Sequence, residues 1–471
     1  MNVARDEVAS RRSRHASLVS LRVASAAAMG GFLFGFDSSV INGAVDAIKA
    51  QFHLGSGMVG FVVSSALLGC AVGAWFAGPL ADRFGRIRVM VIASVLFVIT
   101  SVGSALAMDA WQLTFWRVVG GLAIGAASVI APAYIAEIAP AGLRGRLGSL
   151  QQLAIVLGIF AALLTDYLLV RIAGGASESV PWGGQAWRWM FATAAIPAVV
   201  YGGLALMIPE SPRYLVKKGR IAEARQVLAQ VMGRGDLDQK IEEIQRTLTM
   251  DRPVRLKDLR GPRLGLRPIV WVGILLSVFQ QFVGINVIFY YSSTLWHSVG
   301  FSEKDATLTS MLTSVVNVVT TLVAIALIDK IGRKPLLTFG AAGMVATLGT
   351  LAVVFTTARV VDGQPELGPL AGPVALIAAN LYVVAFGFSW GPVVWVMLGE
   401  MFNNWIRASA LAVAAAAQWL ANWLITTTFP GLAKIGLGLA YGVYTMFALL
   451  ALIFVIRAVQ ETKGKELEEM A

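Results

Sequence analysis

The sequence predicts an all-α polytopic membrane protein with twelve transmembrane helices in two six-helix bundles. Three observations carry this. Of the 471 residues, 57% are hydrophobic and 14% charged, where a soluble domain carries about 25% charge. Apolar runs of about 20 residues recur along nearly the whole chain, each long enough to cross about 30 Å of hydrocarbon as a helix. A β-barrel would instead show alternating segments of about ten residues. The loop signatures of the first half also return, in the same order, in the second.

Residues 1–20 are polar and basic, with Arg5, Arg11, Arg12 and Arg14. The Arg11-Arg12 pair invites comparison with a twin-arginine signal. The apolar segment after it is long, holds Asp37 and lacks a convincing cleavage site, so it reads as a retained first helix. Spans follow near 21–45, 57–81, 87–108, 111–136, 147–171 and 186–208. Six more lie near 268–298, 305–328, 335–358, 371–399, 406–430 and 437–458. The domains are therefore an N-terminal tail (1–20), a first bundle (21–208), a polar linker (209–267), a second bundle (268–458) and a C-terminal tail (459–471). Within the linker, 221–232 and 237–248 have helical spacing with charged faces.

Basic residues give the orientation. With the N-terminus in the cytoplasm, 31 of the 38 Lys and Arg fall on the cytoplasmic side and six outside. Both termini are then expected inside a plasma membrane. The net charge of +11 is read as this topology signal, and no nucleic-acid partner is expected. The single cysteine, Cys70, excludes an intrachain disulfide. His53 and His297 stand singly, without metal-ligand spacing. No metal or cofactor is expected.

Two charges lie clearly inside spans: Asp37, in Phe32-Leu33-Phe34-Gly35-Phe36-Asp37-Ser38, and Arg117, in Trp116-Arg117-Val118. Each is costly in hydrocarbon, so each should face a cavity and a partner. The two are expected to pair. Asp166, towards the outer end of the fifth span, is expected to be solvated. Gly69 and Gly73 in the second span, and Gly121 and Gly125 in the fourth, allow helices to approach closely. That spacing serves moving parts and static packing alike.

The repeat is specific. Asp82-Arg83-Phe84-Gly85-Arg86 follows the second span, and Asp329-Lys330-Ile331-Gly332-Arg333 the eighth. Glu137 precedes Arg144 after the fourth span as Glu400 precedes Arg407 after the tenth. Matching six-span halves are the pattern of a carrier that rocks about a central site. With Pro209-Glu210-Ser211-Pro212-Arg213, Gln280-Gln281-Phe282-Val283-Gly284-Ile285-Asn286, Gly391-Pro392-Val393-Val394-Trp395 and Glu461-Thr462-Lys463-Gly464, the chain resembles the sugar porter family of the major facilitator superfamily. The resemblance implies a twelve-helix major facilitator fold with a central monosaccharide site.

A sugar needs neutral donors and acceptors, which amides combine, and a flat aromatic surface. The spans offer Gln151 or Gln152, then Gln280, Gln281, Asn286, Asn317, Gln418 and Asn422. Gln418 and Asn422 share a helix face. Gln281 and Asn286 lie about 140° apart on an ideal helix. They converge only if the helix breaks between them, where Gly284 lies. The resemblance implies Gln152, Gln280, Gln281, Asn286, Asn317 and Gln418 as sugar-binding amides. It also implies Trp395 and Trp419 as cavity aromatics, and Tyr290 and Tyr291 as aromatics closing over the sugar from outside.

The resemblance further implies proton coupling through Asp37 and Arg117. Burial favours the neutral acid and Arg117 the carboxylate. Some proton-coupled relatives carry another acid in the sixth span; here Met190-Phe191-Ala192-Thr193-Ala194-Ala195 has none. Asp82, Arg86, Glu137, Arg144, Glu210, Arg213, Asp329, Arg333, Glu400 and Arg407 resemble the family's cytoplasmic network, expected to link the bundles when the carrier is open outward. The expected function is import of a monosaccharide (glucose, or galactose or xylose) with a proton, by a monomer. Uniport, or symport of a polyol such as inositol, is the alternative. A membrane enzyme is disfavoured, because no nucleophile–base pair or metal set lies within the spans.

Overall fold

The computed structural model describes residues 2–138, 144–232, 237–250, 259–261, 265–361, 364–402 and 406–462. The first half runs α1 (Asn2–Val40), a 3-10 turn (Asn42–Ala44), α2 (Val45–Gln51), α3 (Ser56–Phe84), α4 (Arg86–Ala105), α5 (Ala110–Ile138), α6 (Arg144–Ala173), α7 (Ala186–Thr193) and α8 (Ala195–Met207). Three short helices follow: α9 (Pro212–Lys217), α10 (Ile221–Met232) and α11 (Leu237–Met250). The second half runs α12 (Pro268–Phe282), α13 (Ile285–Ser298), α14 (Glu303–Ile331), α15 (Arg333–Thr356), α16 (Ala371–Gly387), α17 (Trp390–Met401), α18 (Arg407–Ile435) and α19 (Leu437–Ala458). Among the described residues, twelve stretches are long and apolar enough to cross a membrane.

Three features differ from the sequence expectation. The first span continues past the Asn42–Ala44 turn into α2, ending at Gln51 rather than near 45. Residues 2–20 continue the helix of α1. A short antiparallel pair, β1 (Arg359–Val361) and β2 (Gln364–Glu366), interrupts the all-α pattern between α15 and α16. The linker helices at 221 and 237 form where their spacing placed them. Ser211 caps α9 by accepting the Tyr214 N–H, with Pro212 at the first position.

Small residues set the helix packing. A Cβ on Gly69 would stand 2.0 Å from Val118 O, and one on Gly121 would stand 2.0 Å from Ala66 O. Gly73 and Gly125 meet Leu122 and Cys70 in the same way. The α3–α5 seam therefore needs glycine on both sides, and it lies within one half. Between halves, α3 packs on α18 and α6 on α14. There Gly60 is pressed against Thr427 O.

Alternating helix direction puts the Arg86 and Arg333 turns on one face, the basic face. The 3-10 turn and the start of α3 lie on the opposite face.

Candidate functional site

The second half builds a chain of amides. Gly284, at φ +84°, ends α12 and starts α13. A left-handed residue here needs glycine. The break lets Asn286 donate to Gln281 Oε1 across five positions. Gln281 Nε2 donates to Gln280 Oε1 at 3.3 Å, and Gln418 Nε2 donates to the same oxygen at 2.6 Å. Gln280 Nε2 is anchored by Trp390 O at 2.8 Å and Gly391 O at 3.3 Å. Four amides from α12, α13 and α18 thus share one hydrogen-bonded string. Asn422, one turn beyond Gln418, accepts from Thr426 Oγ1 at 3.1 Å and lies near the Tyr290 hydroxyl.

The remaining sugar-site candidates are less tightly joined. Asn317 is buried on α14, its Oδ1 close to Gly387. Gln151 is wedged against Gly31 in the α1–α6 seam, and Gln152, next along the helix, is half-buried. Trp419 is buried and packs edge-to-face on Phe34 of the other half, centroids 5.4 Å apart. Trp395 is 42% exposed, and none of the described contacts joins it to the amides. The buried indole of that segment is Trp390, whose Nε1 donates to Leu337 O at 3.0 Å. Its value to the site lies in its carbonyl, which no side-chain motif announces.

The first half contributes the charge pair. Arg117 Nη1 lies 4.0 Å from Asp37 Oδ2, with side chains 3% and 16% exposed. The contact is loose. Arg117 Nη2 also donates to Val63 O at 3.3 Å, its guanidinium lies 5.8 Å from the Phe191 ring centroid, and its Nε has no partner. The Tyr290 hydroxyl lies near Ser38, next to Asp37, and near Asn422. One hydroxyl therefore sits between the acid's neighbour in the first half and the amide helix in the second. Tyr291 turns back into its own half, donating to Thr426 O at 3.0 Å and packing on Phe429. Of the two tyrosines expected to close over the sugar from outside, Tyr290 lies towards the first half and Tyr291 towards its own.

The halves are shut together at the opposite face. Asn42 Nδ2 donates to Phe289 O and Ser292 Oγ, both at 2.9 Å, and Asn42 Oδ1 accepts from Ser293 N at 3.1 Å. Ser292 passes the chain to Ser310 at 2.6 Å. Ser64 and Thr427 hydroxyls meet at 2.6 Å, Ala176 N donates to Glu303 at 2.7 Å, and His297 Nδ1 lies 3.5 Å from Asp46. Sequence reading missed Asn42, Ser292, Ser293 and Ser310. Their signal was small polar residues on one face of apolar spans.

Asp166 is a correction. Expected in solvent, it is 1% exposed, with Oδ2 accepting the Gly43 N–H at 3.0 Å and Oδ1 lacking a partner. The 3-10 turn folds over it, a placement no local pattern encodes.

At the basic face the repeat becomes a repeated structure. Arg86 donates to Glu137 from Nε (3.0 Å) and Nη2 (2.8 Å), as Arg333 does to Glu400 (3.1 and 2.8 Å). Glu210 accepts the N–H groups of Arg86 and Ile87, and Glu461 accepts those of Arg333 and Lys334. Ser211 donates to Glu137 as Thr462 does to Glu400. Asp82 holds Arg86 at 3.1 Å and Lys217 at 2.8 Å. Gly85 and Gly332, at φ +97° and +104°, make both turns. In this conformation, where the halves meet at the other face, the Arg86–Glu137 and Arg333–Glu400 pairs each stay within a half; the links between bundles were expected for the outward-open state. Arg213 is half-buried on α9. The side chains of Arg144, Asp329 and Arg407 lie outside the described residues. The matching Glu210-Ser211 and Glu461-Thr462 pairs were visible in the sequence and went unread as caps.

The model of the sugar (and other) transporter family matches residues 23–471. A glucose transport protein of Synechocystis sp. is 58% identical over 453 residues, covering 96% of each chain. The D-xylose-proton symporter of Escherichia coli is 38% identical over 481 residues, covering 94% of this chain and 93% of that one. The structure of the E. coli xylose transporter XylE in a partially occluded inward-open conformation superposes with a TM-score of 0.79 at 35% identity, covering 94% of this chain and all of that one. XylE bound to 6-bromo-6-deoxy-D-glucose, described as a major facilitator superfamily proton:xylose symporter, gives 0.79 at 37%, covering 96% and 98%. The chain belongs to the sugar transporter family of the major facilitator superfamily.

Proposed function

We propose that this carrier moves a monosaccharide, glucose first among candidates, together with a proton, by alternating access. The observation that carries the reading is the loose Asp37–Arg117 pair at 4.0 Å, with the Tyr290 hydroxyl lying near both Ser38, next to Asp37, and Asn422 of the amide helix. A carboxylate held at that distance has little to lose on protonation. Neutral Asp37 releases Arg117, the first half shifts, and Tyr290 transmits the shift to the sugar side. The string Asn286–Gln281–Gln280–Gln418 offers a row of donors and acceptors suited to ring hydroxyls, with Gln152, Asn317, Asn422 and Trp419 around it. The similarity to a glucose transport protein favours glucose, and that to xylose- and arabinose-proton symporters favours coupling.

In this reading the basic face and both termini are cytoplasmic, the protein sits in the plasma membrane, and the conformation is closed to the outside. The carboxylate–arginine turns at Arg86 and Arg333 brace each half here and engage the other half when the carrier opens outward. Proteoliposome uptake tests this. Labelled glucose, xylose, galactose and inositol are offered with and without an inward proton gradient. One sugar accumulating above equilibrium only with the gradient supports the reading. Equilibration regardless of the gradient makes the protein a uniporter, and inert sugars with a folded protein overturn the substrate.

A further inference from the structure

We propose that Asp166 is a second proton-binding residue of the carrier, loaded while the opposite-face joint is open and sealed in as a neutral acid when the joint closes. The proposal rests on the alternating-access reading but not on the sugar's identity.

Asp166 lies under the 3-10 turn, 1% exposed. One carboxyl oxygen accepts the Gly43 N–H at 3.0 Å, and the other has no partner among the described residues. The turn is pressed onto it: a Cβ on Gly43 would stand 2.7 Å from Asp166 Cβ and 2.8 Å from its Cγ. The cover belongs to the joint. Asn42, beside Gly43, is the residue that bonds Phe289, Ser292 and Ser293 of the other half. The helix α6 itself packs on α14 of that half. Parting the halves at this face breaks the Asn42 bonds that tie the turn to α13 and leaves the turn able to lift from the acid.

Among the described residues, no cationic side chain pairs with it: on α5, Arg117 faces Asp37 of α1, and Arg22 of α1 is exposed. On its own helix Arg171 is directed to Tyr167. On α2, Asp46 engages His297 of α13, and Lys49 is exposed. On α14, Glu303 holds Ala176 N, Asp305 caps with Ser302, and Lys304 is exposed. On α7, Arg188 donates to the carbonyls of Ala105 and Ala107. A carboxylate sealed with one bare oxygen is strongly penalised, and a neutral acid far less so. Closure of the joint and protonation of Asp166 therefore favour each other. The proton comes from water at the open joint, stays on the carboxyl through closure, and returns to water at reopening.

The test uses the full chain with Cys70→Ala and a reporter, Ser64→Cys, whose site is fully buried against Thr427 in the closed joint. Maleimide labelling of this protein is compared with the same protein carrying Asp166→Asn, across pH. The ratio of the two rates cancels the thiol's own pH dependence. The expected ratio is near one in acid and rises with pH, by up to about tenfold per unit for one proton. Asp166→Glu must restore the rise. A ratio flat with pH overturns the proposal. Infrared spectra of Asp37→Asn protein give a reading independent of the Asp166 variants' folding: a protonated-carboxyl band in the closed state is expected, and its absence overturns the proposal. Neither readout uses sugar or a gradient, so a wrong substrate or a uniport mechanism leaves both interpretable.

Discussion

Replacing Gly60 by valine puts a side chain where α3 crosses α18. Its Cβ would stand 2.1 Å from Thr427 O, where ordinary contact begins at 3.4 Å. The helices must therefore separate by about 1.3 Å at that point, the difference between those distances. A mid-helix carbonyl cannot turn aside, and the Ser64–Thr427 bond at 2.6 Å belongs to the same crossing. Overpacking costs about 1–3 kcal/mol where the surroundings can relax. That disfavours the closed joint by about 5- to 150-fold. The open form has no such clash, since the two helices are apart there. Sugar exchange across proteoliposomes should fall by at least the lower factor, while sugar binding in detergent is retained. Exchange at the wild-type rate by a folded Gly60→Val protein would refute the idea that this crossing opens and closes in each cycle.

Three further outcomes follow from single contacts. Gln280→Leu removes the node that accepts from Gln418 and Gln281 and donates to Trp390 O. At about 1 kcal/mol per lost membrane hydrogen bond, two short bonds predict roughly a 30-fold weaker sugar dissociation constant by calorimetry. A change under about threefold would remove Gln280 from the site. Tyr290→Phe deletes the hydroxyl between Ser38 and Asn422. It should weaken the proton dependence of sugar binding more than binding itself, read as a flatter pH profile of the dissociation constant. Glu461→Ala strips the acceptor from the Arg333 and Lys334 N–H groups, and Glu210→Ala does the same at Arg86 and Ile87. Each should cost about 1–3 kcal/mol and lower the melting temperature similarly; a large loss in one and none in the other would contradict their equivalence.

The parts read correctly from sequence are those encoded locally. Apolar runs fixed the twelve spans to within a few residues at most ends. Gly284 announced the break because only a break reconciles Gln281 with Asn286, and the break is there. The D-x-x-G-R turns and the Glu137 and Glu400 positions announced the repeat. What escaped depends on distant chain. Asp166 looked solvated because nothing near it in sequence reveals the 3-10 turn over it, more than a hundred residues earlier. Asn42 gains meaning only against α13 and α14. The partners of Arg86 and Arg333 were predictable in kind, but which half supplies them depends on which face is closed. Trp395 and Trp390 differ by where α17 directs each ring, which a five-residue spacing does not decide.

The most direct measurement of coupling is proton movement itself. Proteoliposomes are loaded with a pH-sensitive dye, the transported sugar is added outside, and Asp37→Asn is run beside the wild type. Sugar-evoked acidification of the lumen by the wild type, with none from Asp37→Asn although counterflow of labelled sugar persists, is the predicted result. Equal acidification by both proteins, or counterflow without acidification in the wild type, would contradict a proton carried through Asp37.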